Sequence, residues 1–295
     1  MLSNEHELML EWLKEGRARG VGPEPAEARA ARSQKIHGVE EEQVPSLRPG
    51  SLLLTPEQAR EDLVIVYLHG GGFRSGTTEK ARALAAQLAQ LTGARVLLPE
   101  YRLAPQHPYP AGLDDCEAGY LYAAACFPYA RMVLGGESAG ANLALALLLR
   151  RTAAEDPRPL AGFLYSGMYD LRAERFERGS WVGNAPTDFV LEVPGGLSTS
   201  ADYAGKHEPD EPLISPVTAD LAGLPPLLIQ VSSAEMLLDD SLELAAQAAR
   251  SRVRVVLEVQ PHLQHAWQLF TGFLPEADHA VERTVDFICR AEDER

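Results

Sequence analysis

A chain of 295 residues, with 45% hydrophobic and 23% charged residues, is long enough for one large folded domain with or without a small appendage. Its net charge of -15 repels phosphate backbones and anionic lipids, which argues against nucleic-acid and membrane-surface partners. Its longest apolar run is far too short for a transmembrane helix, and the N-terminus lacks the apolar stretch of a signal peptide. We therefore expect a cytoplasmic protein.

The three cysteines, Cys116, Cys126 and Cys289, are sparse and have no metal-ligand spacing. Cys126 follows three alanines, a pattern that favours the packed face of a helix. We expect all three side chains to be reduced and mostly buried, as is usual for thiols of cytosolic proteins.

The first predicted elements are two helices, at 5–19 and 25–33. The apolar side chains that share one face of the first helix are Leu8, Met9, Trp12 and Leu13. The second helix is polar and rich in alanine. Because both precede every predicted strand, we assign residues 1–45 to N-terminal cap helices and residues 46–295 to the core domain.

From about residue 51 onward, short apolar runs alternate with helical patterns. The run LVIVYL at 63–68 is continuous and rich in β-branched residues, which is typical of a strand covered on both faces. The other predicted strands are 95–98, 132–134, 160–165, 227–231 and 253–259. The predicted helices are 79–91, 111–126, 138–152, 239–250 and 277–290. This alternation predicts an α/β fold with a mostly parallel sheet and helices on both faces.

Residues 171–215 interrupt the alternation with Gly, Pro, Asp and aromatic residues that follow no period. A structureless loop of this length is uncommon in a compact domain. We therefore expect an insertion at about 171–212 that joins the N-terminal helices in a cap over the functional site. An irregular surface loop is the alternative.

The sequence GESAG at 136–140 fits the pattern G-x-S-x-G and lies between a predicted strand and a predicted helix. In that context the serine sits on a tight, strained turn, and small residues are needed on either side of it. Ser138 would then stand at the N-terminus of a helix, whose dipole favours developing negative charge. We predict that Ser138 is a nucleophile; a plain helix N-cap is the alternative.

The sequence HGGGF at 69–73 follows the strand LVIVYL. Glycines allow the backbone to approach a ligand closely and to point N–H groups towards it. We predict that Gly71, Gly72 and Ala139 donate to an oxyanion, with a flexible glycine turn as the alternative. We interpret His69 as a residue that fixes the loop, because the order of a triad on a strand–elbow–helix fold is serine, acid, histidine.

The predicted base lies in the loop between the last strand and the last helix, where His262 and His265 both qualify. We favour His265 because residues 266–270 after it suit a short packed helix that would hold the ring. The predicted acid lies after the preceding strand. We favour Glu235 in that loop, and we interpret Asp239 and Asp240 as acidic residues that cap the next helix.

These motifs together resemble the bacterial hormone-sensitive-lipase-like (family IV) esterases of the α/β-hydrolase fold. The resemblance runs from about residue 51 to the end. It rests on HGGGF at 69–73, YRLAPQHPYPA at 101–111, GESAG at 136–140, Ser215-Pro216 and HAW at 265–267. The family's acid lies in an Asp/Glu-x-Leu-x-Asp segment, here EMLLD at 235–239, which again favours Glu235.

The resemblance implies a helical cap, no cofactor and no metal, and a preference for short acyl chains. Tyr101, Arg102 and Asp114 would be structural supports. The chain departs from the family at three places: Ala141 follows Gly140 where a second glycine is frequent, Glu137 stands where Asp or Thr is common, and Ser232 where Gly is common.

The residues therefore predict a serine carboxylesterase that acts on a small-molecule ester. An amidase or formamidase with the same triad is a second enzyme class, and a small-molecule receptor on a hydrolase scaffold is an unrelated one. Three aromatic residues of the predicted cap are expected to roof a small acyl pocket: Trp12, Trp181 and Phe189. The sequence leaves the oligomeric state open, a homodimer included.

Overall fold

The computed structural model describes residues 2–19, 28, 37–154 and 158–293. Its centre is an eight-stranded sheet with the order β1-β2-β4-β3-β5-β6-β7-β8. The strands are β1 (Val39–Gln43), β2 (Leu52–Pro56), β3 (Leu63–Leu68), β4 (Arg95–Leu98), β5 (Arg131–Glu137), β6 (Pro159–Tyr165), β7 (Leu227–Ser232) and β8 (Val255–Gln260). Strand β2 is antiparallel to both neighbours, whereas β3 to β8 are parallel. The predicted α/β architecture is confirmed.

Helices cover both faces of this sheet. Those that the structure describes are α1 (Asn4–Arg19), α2 (Thr78–Thr92), α3 (Ala111–Cys126), α4 (Ala139–Ala153), α5 (Ser180–Gly183), α6 (Val193–Ala204), α7 (Leu238–Arg250) and α8 (Pro275–Asp293). Alternate residues of β3 face a core formed with α3, α4 and α7, and the others face a core formed with α2 and α8. This double burial explains why LVIVYL is apolar without interruption.

The sequence pattern does not predict the two strands at the antiparallel edge. Strand β1 has the sequence VEEEQ and is largely exposed, so it carries no apolar signal. It pairs with β2, although it lies within residues 1–45, which the sequence assigns to cap helices. The second predicted helix, 25–33, falls outside the described residues except for Ala28.

The expectation that the cysteines are mostly buried is wrong. Cys116 is buried, but Cys126 and Cys289 are exposed, and all three are free thiols. Ala123 is the last buried residue of α3, so the final turn of that helix, with Cys126, lies outside the core.

None of the described helices combines the length and hydropathy required to cross a bilayer.

The insertion between β6 and β7 contains a short 3-10 helix (Ala173–Glu177), α5 and α6. Helix α6 packs on the glycine-rich loop after β3, where Tyr203 stacks on Phe73 with ring centroids 3.8 Å apart. Helix α1 packs from another side, with Met9 buried against Leu263 and Trp267 of the loop after β8. Both segments therefore lie against loops that leave the parallel strands.

Candidate active site

The predicted nucleophile stands on a strained turn between β5 and α4. Ser138 has φ 57° and ψ -121°, in the left-handed half of backbone space that side chains rarely adopt. A Cβ on Gly136 would lie 2.5 Å from the Gly140 carbonyl oxygen, and one on Gly140 would lie 2.0 Å from that of Leu68. Larger residues at these positions are therefore excluded by the backbone itself.

Three predicted site residues meet at the carboxyl edge of the sheet. Nε2 of His265 lies 2.9 Å from Oγ of Ser138, and Nδ1 of the same ring lies 2.7 Å from Oε2 of Glu235. The three residues follow β5, β7 and β8, and parallel strands present their carboxyl ends at one edge. All three are buried, with Glu235 fully so.

The other oxygen of Glu235 is held by two donors. Oε1 accepts from the Ser166 hydroxyl at 2.8 Å and from the Ser232 N–H at 2.6 Å. The Ser166 hydroxyl also accepts from the N–H of Ala266, next to the base. Ser166 is not among the residues predicted from the sequence; the signal for it is its place directly after β6, beside β7 in the sheet.

Ser232 stands where the family often has glycine, and its hydroxyl forms two hydrogen bonds in this chain. It donates to the Leu263 carbonyl at 2.6 Å and accepts from the Ala234 N–H at 3.1 Å. It therefore connects the loop of the predicted acid to the loop of the predicted base. The departure at Ser232 adds a contact and removes none.

Burial and pairing shift both ionisable members of this group. Burial acts to lower the pKa of His265, but the hydrogen bond and charge of Glu235, together with the charges of Asp188 and Glu137, leave that pKa raised above its ordinary value. Burial raises the pKa of Glu235, and the bond from His265 acts in the opposite direction. The protonated form of the His265 ring is thus stabilised by the buried carboxyl group beside it.

If His265 is the base, as predicted, kcat/KM should fall as the pH decreases through the pKa of His265, because only a neutral ring can accept a proton. The midpoint of this acid limb should lie above that of an unperturbed histidine, since the folded-state pKa is raised. In Glu235→Gln the raising partner is lost, so the residual activity should show a limb at lower pH. Initial rates between about pH 5 and pH 9 measure both limbs; an identical midpoint in the two proteins would contradict the pairing.

The glycine-rich loop is fixed to the elbow by the residue before Ser138. Oε1 of Glu137 accepts from the Gly70 N–H at 2.6 Å. Burial raises the pKa of Glu137. Gly71 and Gly72 then take φ values of 123° and 61°, which favour glycine. Glu137, which departs from the family pattern, therefore joins the two loops that carry the predicted nucleophile and oxyanion donors.

The N–H groups of the predicted oxyanion donors have no partner in the part of the chain that the structure describes. Among the described residues, no acceptor bonds to the N–H of Gly71, Gly72 or Ala139. His69, in contrast, stacks on Tyr101 at 4.2 Å, and its carbonyl accepts from the Tyr101 hydroxyl at 2.6 Å. These contacts agree with the prediction that His69 fixes the loop.

The two other predicted supports form ion pairs. Arg102 binds the carboxylate of Asp115 with two nitrogens, at 2.8 and 2.9 Å, and Asp114 pairs with Arg150 at 2.8 Å. Both pairs involve α3, and neither reaches the predicted triad. The first pair holds the segment that follows β4 against α3, and the second joins α3 to α4.

The structure does not bring the alternative residues to the site. His262 has φ 64°, and its carbonyl oxygen lies 3.1 Å from Nε2 of His6. Asp239 and Asp240 lie in the first turn of α7, as predicted, but neither caps that helix. The capping prediction is wrong because both carboxylates face the insertion and the segment before it.

Asp240 is buried and accepts from the N–H groups of Tyr169 and Asp170 at 2.9 and 3.0 Å, and it pairs with Arg175. Burial raises its pKa to about 6. Asp239 accepts from the Ser180 N–H at 2.8 Å. These carboxylates anchor the start of the insertion to α7.

The sheet order, the elbow after β5 and the glycine-rich loop after β3 define a protein of the α/β-hydrolase class. A family model described as alpha/beta hydrolase fold matches residues 65–269. Similar chains carry the names of esterases. An acetyl-hydrolase of Streptomyces hygroscopicus is 37% identical over 227 residues, which span 76% of this chain and 75% of that protein. An esterase of Acinetobacter venetianus is 34% identical over 233 residues, 78% of this chain and 76% of that one.

Solved structures agree in fold over almost the whole chain. An esterase from the bacterial hormone-sensitive lipase family has a TM-score of 0.83 at 32% identity, with 99% of both chains covered. A hormone-sensitive lipase from a metagenome library has a TM-score of 0.86 at 30% identity, again with 99% coverage of both. The chain belongs to the α/β-hydrolase family and, within it, to the hormone-sensitive-lipase-like (family IV) esterases, and it is a carboxylic ester hydrolase.

Proposed function

We propose that the protein hydrolyses small carboxylic esters through an acyl-enzyme formed on Ser138. The observation that carries this proposal is the chain of hydrogen bonds from Glu235 through His265 to Ser138, 2.7 and 2.9 Å long. His265 Nε2 takes the hydroxyl proton as Oγ attacks the ester carbonyl carbon. Glu235 keeps the proton of the neutral ring on Nδ1 and stabilises the imidazolium that forms.

The ester carbonyl oxygen becomes negatively charged in the tetrahedral intermediate. We assign its stabilisation to the N–H groups of Gly71, Gly72 and Ala139, which have no acceptor among the described residues. The N-terminal dipole of α4 acts in the same direction. The intermediate then expels the alcohol, which takes the proton from His265. Water, deprotonated by His265, attacks the acyl carbon and restores Ser138.

We also propose that the insertion at 171–212 and the N-terminal helix form a cap over the acyl site. The point where Gly72 would carry a Cβ lies 3.6 Å from both the methyl and the hydroxyl of Thr199 on α6. Trp181 is buried within the insertion against Phe176, with ring centroids 4.9 Å apart, so it packs the cap itself. In these contacts Thr199, rather than Trp181, is the side chain of the insertion that faces Gly72.

We expect kcat/KM to be highest for acyl chains of about C2 to C6, since each added methylene gains about 0.8 kcal/mol only while it finds apolar surface to bury. Thr199 lies so close to Gly72 that it limits the apolar surface available to the acyl chain. The similar acetyl-hydrolase is named for an acyl group of this size. The measurement is kcat/KM across p-nitrophenyl esters of increasing length, with matching anilides to compare esters with amides.

Efficient hydrolysis of long-chain esters or emulsified triglyceride, with poor turnover of acetate and butyrate, would contradict this expectation. Four apolar side chains of the insertion are exposed, by 39 to 48%: Val182, Val190, Val193 and Leu197. A long-chain optimum would assign them to docking on a lipid interface. With a short-chain optimum they are scattered surface residues, which soluble enzymes commonly carry.

A further inference from the structure

One part of the insertion, residues 184–189, binds the loop that carries Glu235. Nδ2 of Asn184 donates to the carbonyl of Glu235 at 2.9 Å. The Thr187 hydroxyl donates to the carbonyl of the residue before Glu235, also at 2.9 Å. Oδ2 of Asp188 accepts from the N–H of the residue after it at 2.9 Å. The backbone is therefore held on both sides of the proposed acid.

The same segment reaches the loop of the proposed base. Gln264, the neighbour of His265, accepts from the Phe189 N–H at 2.9 Å through Oε1. Its Nε2 donates to the Thr187 carbonyl at 3.1 Å. Gln264 is buried, so these bonds are shielded from water. A single stretch of the insertion thus contacts the neighbours of both Glu235 and His265.

Asp188 is held by several hydrogen bonds within this stretch. Its side chain is fully buried, and Oδ1 accepts from the N–H groups of Val190 and Leu191, both at 2.9 Å. With the bond to the N–H of Met236, three backbone donors fix the carboxylate. From the outside, Nη1 of Arg17 donates to the Asp188 carbonyl oxygen, which joins α1 to the same point.

We propose that Asp188 is a positioning residue for the hydrolysis: it orients the Glu235 loop, so that the insertion assembles the acid and base as well as covering them. The inference rests on the proposed roles of Glu235 and His265. Among the bonds between described residues, none joins Asp188 to Ser138. Asp188 acts through its Oδ2, which accepts from the N–H of Met236 at 2.9 Å.

The pKa of His265 is a readout of the charge of Asp188. A purely structural role of Asp188 would leave that pKa unchanged. Burial acts to lower the pKa of His265; Glu235 raises it, and the charges of Asp188 and Glu137 act in the same direction as Glu235. Removing the Asp188 charge should therefore lower the pKa of His265. The acid limb of kcat/KM would then move to lower pH.

The test compares Asp188→Asn with a matched control, Asp170→Asn. The amide in Asp188→Asn keeps one acceptor for the N–H groups of Val190 and Leu191, but its NH₂ group faces the N–H of Met236. We expect kcat to fall roughly ten- to hundredfold, by analogy with the loss of a residue that orients a metal ligand. The change in KM should be much smaller, and the acid limb should lie at lower pH. Asp170 is also a buried carboxylate, and it pairs with Arg172 instead. Its variant should keep the wild-type kcat and limb.

A second variant decides the question if Asp188→Asn does not fold. Asn184 is half-buried, and Asn184→Ala removes only the side-chain bonds to the carbonyls of Ser233 and Glu235. We expect kcat to fall by roughly three- to tenfold in this variant. Values of kcat and of the limb equal to those of Asp170→Asn, in whichever of the two variants folds, would overturn the inference.

Labelling of the wild-type enzyme with a fluorophosphonate separates this failure from failure of the proposed function. If the wild-type enzyme is labelled on Ser138 but the Asp188 and Asn184 variants match the control, the triad stands and the positioning role is wrong. If the wild-type enzyme is not labelled on Ser138, the proposed mechanism fails and the positioning role fails with it.

Discussion

Replacing Ser138 by alanine is expected to lower kcat by roughly three or more orders of magnitude on p-nitrophenyl acetate. The proposed triad acts as a unit, so His265 and Glu235 have no nucleophile to serve once the hydroxyl is gone. The turn itself should survive, because its φ of 57° is enforced by the tight packing around Gly136 and Gly140. Initial rates and a thermal melt of the same preparation measure both effects.

The matched control for this prediction is Ser251→Ala. Ser251 follows the last residue of α7 and precedes β8, so it lies at the opposite end of that strand from His265. It should retain wild-type kcat and a nearly unchanged Tm. Turnover by Ser138→Ala at a rate near that of the wild-type enzyme would show that another group attacks the ester.

The second large effect is expected for Glu235→Gln, with kcat reduced by roughly three to four orders of magnitude. The donors on Oε1, the Ser166 hydroxyl and the Ser232 N–H, require an oxygen at that position. The amide NH₂ group must then point at Nδ1 of His265. It donates to Nδ1 and so places the ring proton on Nε2, which can no longer accept the proton of Ser138.

Asp239→Asn is the control carboxylate, since Asp239 lies four residues further along the chain. It accepts from the Ser180 N–H and lies 3.6 Å from Arg175, so its loss should cost on the order of 1 kcal/mol of unfolding free energy. The kcat of the folded enzyme should be unchanged. A large loss of kcat in Asp239→Asn with little effect in Glu235→Gln would show that the acid is misassigned.

Strands buried on both faces were the most predictable part of the fold. Strand β3 agrees with its predicted bounds, 63–68, because both faces of the parallel sheet demand apolar side chains. The edge strand β1 has no such signal, because its glutamates are largely exposed and one of them, Glu41, pairs with Arg82. Apolar patterns in a sequence reveal buried strands, whereas an exposed edge strand such as β1 has few buried side chains to reveal it.

The site divides in a similar way. The predicted residues Ser138, Glu235 and His265 follow parallel strands of one sheet, so the topology alone brings their loops to the same edge. Their supports are harder to predict. Ser166 and Asp188 bind at sequence separations of 69 and 48 residues, through a hydroxyl and a carboxylate that carry no motif. Local patterns contain no information on such contacts, which depend on how the loop after β6 and the insertion pack against the loop of Glu235.

The most direct test of the central claim is the identification of the residue that a fluorophosphonate ester modifies. The reagent forms a bond between its phosphorus and a serine oxygen and releases fluoride, and activity should be lost in proportion to labelling. We predict one adduct per chain, on the peptide that contains Ser138, and none in Ser138→Ala by intact mass and peptide mapping. An adduct on another residue, or ester hydrolysis that continues with Ser138 fully modified, would contradict the account.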